Sequence, residues 1–215
     1  ATPEDHAVLE KKGFLLVDSG ATYMDGTTDI TRTYPLGPLT EDEKRFYTWT
    51  LQSHIDLAKA VWLDYCECKM IDTIAREPLW RHLINYRCGT GHSVSFVGNV
   101  HEGPHSLRGT NSVLMRPGMV ITDEPGVYET DLVGIRIENE LMCVHKADNQ
   151  YGTFLGFEPL MFVPIATSPI LPGVLDKDEI AWLNDYHRQV FAKLAPHLND
   201  EERSWLAEKC AAIGC

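Results

Sequence analysis

The feature that most constrains this chain is a set of carboxylates placed where apolar strands stop. Asp18 ends the run GFLLVD, Glu124 follows MVITD at a Pro125-Gly126 stop, and Glu138 sits inside the alternating segment GIRIENELMCV. A charge in such a position is expensive unless something compensates it. The fold must therefore bring these acids to partners, to one another, or to a cation.

Asp18 and Asp29 flank the turn signal Asp25-Gly26, with Gly13 to Asp18 read as a buried strand and Thr31 to Leu36 as the returning one. An even-length loop keeps Asp18 and Asp29 on one face of the pair. A strict two-residue turn at Asp25-Gly26 would pair Asp18 with Thr33 and leave Asp29 about four residues, roughly 13 Å, out of register. If both acids act together, the loop must be longer or a bulge must re-aim one of them, and that irregularity is expected.

The stretch GTGHSVSFVGNVHEGP holds His92 beside glycines that permit close backbone approach, and His101 nine residues later. Taken singly, each is more often a surface or capping histidine than a functional one, and it is their company that points to chemistry. In GIRIEN, Ile135, Ile137, Asn139 and Leu141 share one face and Arg136, Glu138, Glu140 and Met142 the other, which also fits a solvated face with a surface salt bridge. Four carboxylates with one imidazole suit manganese, cobalt, iron or a catalytic zinc pair better than a structural zinc. They balance two divalent cations, whereas without metal at least one carboxylate would take up a proton.

Thr40 and Glu43 form a capping-box pattern ahead of a helix reaching toward Asp64, and a second helix is expected over Met70 to Asn85, kinked or broken at Pro78. Gly89 to Gly109 reads as irregular chain with short strands, Gly134 to Val144 as one strand. A Pro-punctuated connector, Pro159 to Pro172, precedes helices around Asp178 to Leu194 and Asp200 to Ile213. The division expected is one domain over residues 1–156 and a helical extension over 157–215.

The 215 residues carry a net charge of -12 and no Lys/Arg run, which argues against nucleic acid as a partner. No apolar stretch has the roughly 18 to 20 residues of a membrane-spanning helix, so no membrane partner is expected. Cysteines 66, 68, 88, 143, 210 and 215 lack framework spacing and are read as reduced thiols of a cytoplasmic protein.

Together, DSGATYMDGTTDITRT, GTGHSVSFVGNVHEGP, VITDEPGVYE and GIRIENELM resemble the signature segments of aminopeptidase P, in the creatinase and methionine aminopeptidase superfamily, and FLGFEPLMFVPI with the two last helices resembles that family's C-terminal extension. The resemblance implies an α+β pita-bread fold around two divalent ions, usually Mn2+ with Zn2+ or Co2+ as alternatives. It implies Asp18 on one ion, His92 and Glu124 on the other, and Asp29 and Glu138 bridging. It further implies an attacking hydroxide between the ions, Glu124 as proton shuttle, His101 polarising the carbonyl of an Xaa-Pro bond, Arg136 orienting Asp18, and Tyr128 near the tetrahedral intermediate. The substrates implied are peptides with proline in the second position.

Two departures accompany the resemblance. Cys88 stands where the family has a histidine four residues before the ligand histidine, and a further histidine about twenty residues before the DSG strand would fall upstream of this chain. The catalytic domain is thus expected to be incomplete at its N-terminus, with another chain supplying the remainder and a homodimer formed through the extension. Proline dipeptidase, or an impaired fragment acting as a binding module, are the alternative readings.

Overall fold

The computed structural model describes residue 2 and residues 4–214, so Cys215 lies outside the described residues. The chain begins with an antiparallel hairpin, β1 (Phe14–Tyr23) and β2 (Gly26–Pro35), followed by α1 (Glu41–Ala58), β3 (Val61–Leu63) and α2 (Cys68–Trp80). Short strands β4 (Gly91–His92) and β5 (Ser106–Leu107) come next. They precede β6 (Val120–Asp123), β7 (Gly126–Glu129), β8 (Val133–Arg136), β9 (Asn139–Asn149) and β10 (Gly152–Pro159). Helices α3 (Lys177–Leu194) and α4 (Asp200–Lys209) close the described chain.

The first hairpin corrects the expected irregularity. Its ladder is unbroken, and Tyr23 pairs with Gly26, so the two-residue turn is Met24-Asp25, one residue earlier than the Asp-Gly signal suggested. Gly26 instead opens β2, at φ 145°, a conformation that side chains rarely adopt. That one-residue change sets Asp18 opposite Thr31 and Asp29 opposite Gly20. The two acids are then two residues apart along the ladder, about 7 Å, on the same face and without a bulge. The expected burial of Gly13 to Asp18 is also corrected. From Val17 onward β1 is exposed: β2 is the strand packed into the core, with Thr31, Arg32 and Thr33 buried, while β1 meets the rest of the protein through Phe14 stacked on Tyr47 and Asp18 paired with Arg136.

Helix α1 starts as the capping pattern requires: Thr40 Oγ1 accepts from the Glu43 N–H (3.2 Å) and Glu43 Oε2 accepts from the Thr40 N–H (2.7 Å). It ends at Ala58 rather than near Asp64, because Val61–Leu63 is drawn off to pair with β10. Helix α2 ends at Trp80, two residues past Pro78, and not at Asn85. Beyond it the chain turns through Leu83 at φ 60°.

The main sheet has the order β3-β10-β9-β6, all neighbours antiparallel. Its inner face, with Ile121, Leu141, Cys143 and Leu155, packs on Leu57, Ile71 and Ala75 of α1 and α2. A second core joins Tyr47, Leu51 and Ile55 of α1 to Ile135, Ile137, Leu183, Tyr186 and Val190, so α3 shares its apolar stripe with the strands that carry the acids. Full burial of each of these aliphatic side chains contributes about 1.5–3 kcal/mol.

Gly134 to Val144 is not one strand. It pairs with β7 up to Arg136, breaks at Ile137-Glu138, and then pairs with β6 and β10 as β9. Glu138 sits where the chain leaves one sheet for another. The solvated-face reading of this segment fails: Glu138 and Glu140 are 1% and 4% exposed.

Candidate metal centre

Two backbone hydrogen bonds and one from a threonine side chain bring the acid-bearing strands together. The Glu138 N–H donates to the Thr31 carbonyl (3.1 Å), Thr33 Oγ1 donates to the Arg136 carbonyl (2.8 Å), and the Glu124 N–H donates to the Thr90 carbonyl (2.8 Å). Gly91 is required where β4 crosses β6, since a Cβ there would stand 1.8 Å from the Thr122 carbonyl oxygen. That close approach lets Thr122 Oγ1 accept from the His92 N–H (2.9 Å) and donate to Glu124 Oε1 (3.1 Å). One hydroxyl thereby spaces His92 from Glu124.

At the centre, ligand-capable atoms of Asp29, His92 and Glu138 lie within 4.8 Å of one another. Neutral His92 donates Nδ1–H to the Ser93 carbonyl (3.1 Å), which leaves the Nε2 lone pair facing Asp29 Oδ2 at 3.4 Å and Glu124 Oε1 at 3.2 Å. A lone pair facing two carboxylates is repulsive unless a proton or a cation lies between them. Burial opposes the imidazolium form, but Asp29 and Glu124 outweigh it and hold His92 above the ordinary imidazole range.

Glu138 shows the same tension. Thr31 Oγ1 donates to its Oε2, while Oε1 is buried with no partner among the described residues. Burial, followed by the Glu124 and Asp29 charges, pushes its carboxyl up to about 8. Burial raises Glu124 too. An orphaned buried carboxylate oxygen among two further carboxylates and an imidazole lone pair fits a divalent cation, by both charge and donor type.

Asp18 is placed differently. Its side chain is half exposed and is held by Arg136 Nη2 at 2.6 Å from Oδ2, outside the Asp29-His92-Glu138 group. Arg136 also donates to the Tyr128 hydroxyl and, through Nε, to Thr31 Oγ1 (2.9 Å), with Glu124 Oε2 3.8 Å away. His101 is exposed, its ring edge-on to His92 with centroids 3.9 Å apart. A cavity of about 350 Å3 is lined by His92, His101, Glu124, Arg108 and Cys88. Cys88 therefore borders the same space as the proposed proton-handling groups, with its thiol pushed up chiefly by burial.

Sequence reasoning missed the buried scaffold behind these residues. Arg32 donates to the Glu138 carbonyl, to Asn139 Oδ1 (2.8 Å), to the Val163 carbonyl (2.7 Å) and to the Tyr186 hydroxyl (2.9 Å). Asn139 Nδ2 in turn donates to His54 Nε2 (3.3 Å), and His54 Nδ1–H donates to the Asp123 carbonyl (3.2 Å), with the Asp123 carboxylate 3.0 Å away. The chain of groups fixes the residues next to Glu138 and Glu124 and ties both to α3. Thr31 had a usable signal, its parity with Asp29 on β2. Arg32 had none, because parity aims it away from the acids, and its partners come from three distant segments.

Known proteins fit this geometry. Residues 1–145 match the model of metallopeptidase family M24, and residues 153–213 match the C-terminal region of that family. Aminopeptidase P1 of Lotus japonicus is 41% identical over 98% of this chain and 33% of its own length. A probable Xaa-Pro aminopeptidase P of Coprinopsis cinerea is 39% identical over 98% of this chain and 35% of its own. Among solved structures, the X-prolyl aminopeptidase of Caenorhabditis elegans, described as a cytosolic enzyme with a di-nuclear active site, superposes with a TM-score of 0.86 at 39% identity. That superposition covers 92% of this chain and 33% of the other. The prolidase of Pyrococcus furiosus superposes with a TM-score of 0.60 at 28% identity, covering 69% and 41%. The chain thus spans about a third of the length of the curated relatives it matches. The α+β architecture is the expected pita-bread type, and the chain belongs to metallopeptidase family M24.

Proposed function

We propose that this chain carries the dinuclear metal centre of an Xaa-Pro aminopeptidase, with Asp18, Asp29, His92, Glu124 and Glu138 as ligands and peptides bearing proline in the second position as substrates. The observation that carries the reading is Glu138 Oε1, buried without a partner beside Asp29 and the His92 lone pair. Two divalent ions, with manganese the first candidate, would supply Lewis acidity and a water acidic enough to act as a nucleophile near neutral pH.

The chain's own residues then divide the remaining work. Glu124, raised by burial and steadied by Thr122, can hold or release a proton at the edge of the His101-lined cavity. His101, exposed beside His92, presents a ring nitrogen to a substrate carbonyl entering that cavity. Arg136 orients Asp18 and Tyr128 at once, so the phenol and the carboxylate share one anchor.

The cytosolic description of the Caenorhabditis elegans enzyme supports a cytoplasmic setting, and none of the described helices is long and apolar enough to cross a membrane. Similarity to the aminopeptidases over almost the whole chain favours them over proline dipeptidase. The test is a titration with Mn2+ followed by hydrolysis assays on an Xaa-Pro-Xaa tripeptide and an Xaa-Pro dipeptide. Two ions bound per chain and cleavage of the longer peptide are expected. A chain that takes up no divalent ion removes the reading, and cleavage of the dipeptide alone transfers it to prolidase.

A further inference from the structure

Helix α2 presents Asp72 and Arg76, one turn apart on the same face, to the segment that leads into β4. Arg76 Nε donates to Asp72 Oδ2 (2.8 Å), and the two side chains are only 11% and 2% exposed, the arginine's first. The rest of the guanidinium fork is turned on the segment. Nη1 donates to the Tyr86 carbonyl (2.8 Å) and to Asn85 Oδ1 (3.2 Å), and Nη2 donates to the Cys88 carbonyl (2.9 Å). The guanidinium carbon also lies 4.1 Å from the centroid of the Tyr86 ring.

Asp72 reaches further along the same segment. The buried Thr90 hydroxyl donates to Asp72 Oδ1, and because a hydroxyl has one hydrogen, Tyr86 is the donor in its own bond to Thr90 Oγ1. Residues 86, 88 and 90 are thus all tied to one ion pair. Thr90 in turn carries the site. Its carbonyl accepts the Glu124 N–H (2.8 Å), its N–H donates to the Leu107 carbonyl (2.7 Å), and His92 follows two residues later. None of Asp72, Arg76, Tyr86 and Thr90 lines the His101 cavity, so they act on it only through the residues they hold. A buried ion pair adds little stability over apolar side chains of the same volume, and the use of this one is geometric.

We propose that Asp72 and Arg76 are positioning residues of the metal centre. Through the Tyr86 and Cys88 carbonyls and the Thr90 hydroxyl they fix both the carbonyl that holds Glu124 and the place of His92, and so maintain the 3.2 Å approach of His92 Nε2 to Glu124 Oε1. The inference rests on the reading of His92 and Glu124 as ligands. Arg76→Lys keeps the charge, but a compact ammonium does not span both carbonyls.

The experiment uses the whole chain, titrated with Mn2+ and, separately in EDTA, followed by amide hydrogen exchange at Glu124 and at Leu183 in α3. Thr90→Val removes the hydroxyl at nearly constant volume. Thr48→Val is the control, since Thr48 is a buried threonine of α1 that bonds the Lys44 carbonyl and the Leu171 N–H, away from the site. Thr90→Val and Arg76→Lys should each weaken Mn2+ binding about tenfold or more, the range for a group that holds a metal ligand, and speed exchange at Glu124 at least about tenfold relative to Leu183. Thr90→Ser, which keeps the hydroxyl, should restore both, and Thr48→Val should leave both at wild-type values. Should Arg76→Lys not fold, the Thr90 series decides. Mn2+ binding within about twofold of wild type in Thr90→Val, parallel acceleration at Glu124 and Leu183, or an equal loss in Thr48→Val would each overturn the proposal. If the wild type itself takes up no Mn2+, the metal reading fails, and the Glu124-to-Leu183 exchange ratio alone decides whether the ion pair positions Glu124.

Discussion

Asp18 and Glu138 are both acids within reach of the Arg136–Thr31 pair, yet the fold treats them oppositely. Glu138 sits at the corner where β8 gives way to β9. It is almost fully buried, bonded through its backbone to β2, with one carboxylate oxygen unpaired. Asp18 lies on an exposed strand, and a guanidinium settles its charge from the side. The buried acid is therefore placed by the core and left in need of a cation, while the exposed acid is placed by one ion pair and is already satisfied. Exposed pairs are worth little, and buried orphans are costly.

The largest effect that would test this contrast is on metal uptake. Glu138→Gln should lower Mn2+ affinity by about 100-fold or more, the upper end of what altering a ligand's own hydrogen-bond partner does. The same change should stabilise the metal-free chain. The folded Glu138 holds its proton up to about pH 8, whereas in the unfolded chain it releases it near 4.5, so metal-free stability falls as pH rises across that window. Thermal melts in EDTA at pH 5 and pH 8 would show the slope for the wild type and a flatter one for Glu138→Gln. An unchanged slope would place the buried tension elsewhere.

Next in size is Arg32→Met. It strips the partner from the Glu138 and Val163 carbonyls, Asn139 and Tyr186, and should cost about 3–5 kcal/mol in urea unfolding, as loss of one member of a buried charged network does. A cost below about 1 kcal/mol would mean that the corner is held by packing alone.

His187 gives a pH effect of the opposite sign, far from the acids. It is fully buried, its Nε2 accepts from the Ile165 N–H (3.1 Å), and burial followed by the Arg32 charge depresses it to about 4. The unfolded chain takes up this proton near pH 6.5 and the folded chain only near 4, so stability falls as pH falls between those values, by about 3 kcal/mol at most. Replacing it by Gln should remove that acid-side slope, measured by urea unfolding at pH 4.5 and 6.5, even if overall stability drops.

The smallest effect belongs to the exposed acid. Asp18→Asn should weaken uptake of the second ion by about tenfold and leave the unfolding midpoint within about 0.5 kcal/mol of wild type. If it instead abolishes binding as Glu138→Gln does, the contrast between a core-placed and a pair-placed ligand collapses.

Much of this was legible from the chain alone. The capping box at Thr40 and the glycines beside His92 act over a few residues, and both reappear in the structure, whereas the single alternating strand around Glu138 is broken at Ile137-Glu138 and buried on both faces. The turn at Met24-Asp25 was misread by one position, because Asp25-Gly26 signals a turn without saying whether Gly26 lies inside it or opens the next strand. The buried state of Glu138 was not legible either, since alternation shows which residues share a face and not what covers it.

The sequence by itself determined the inventory: which acids and which imidazole stand at strand ends, in an order similar to that of the M24 peptidases, because those features are local and periodic. Tertiary structure decided their standing. Only the meeting of β2, the β8–β9 corner, α1 and α3 makes Glu138 a buried orphan, leaves Asp18 in solvent with Arg136, and hides Arg32 behind both. Burial and charge pairing depend on segments more than a hundred residues apart, as Arg32 and Tyr186 are, and no local pattern encodes that distance.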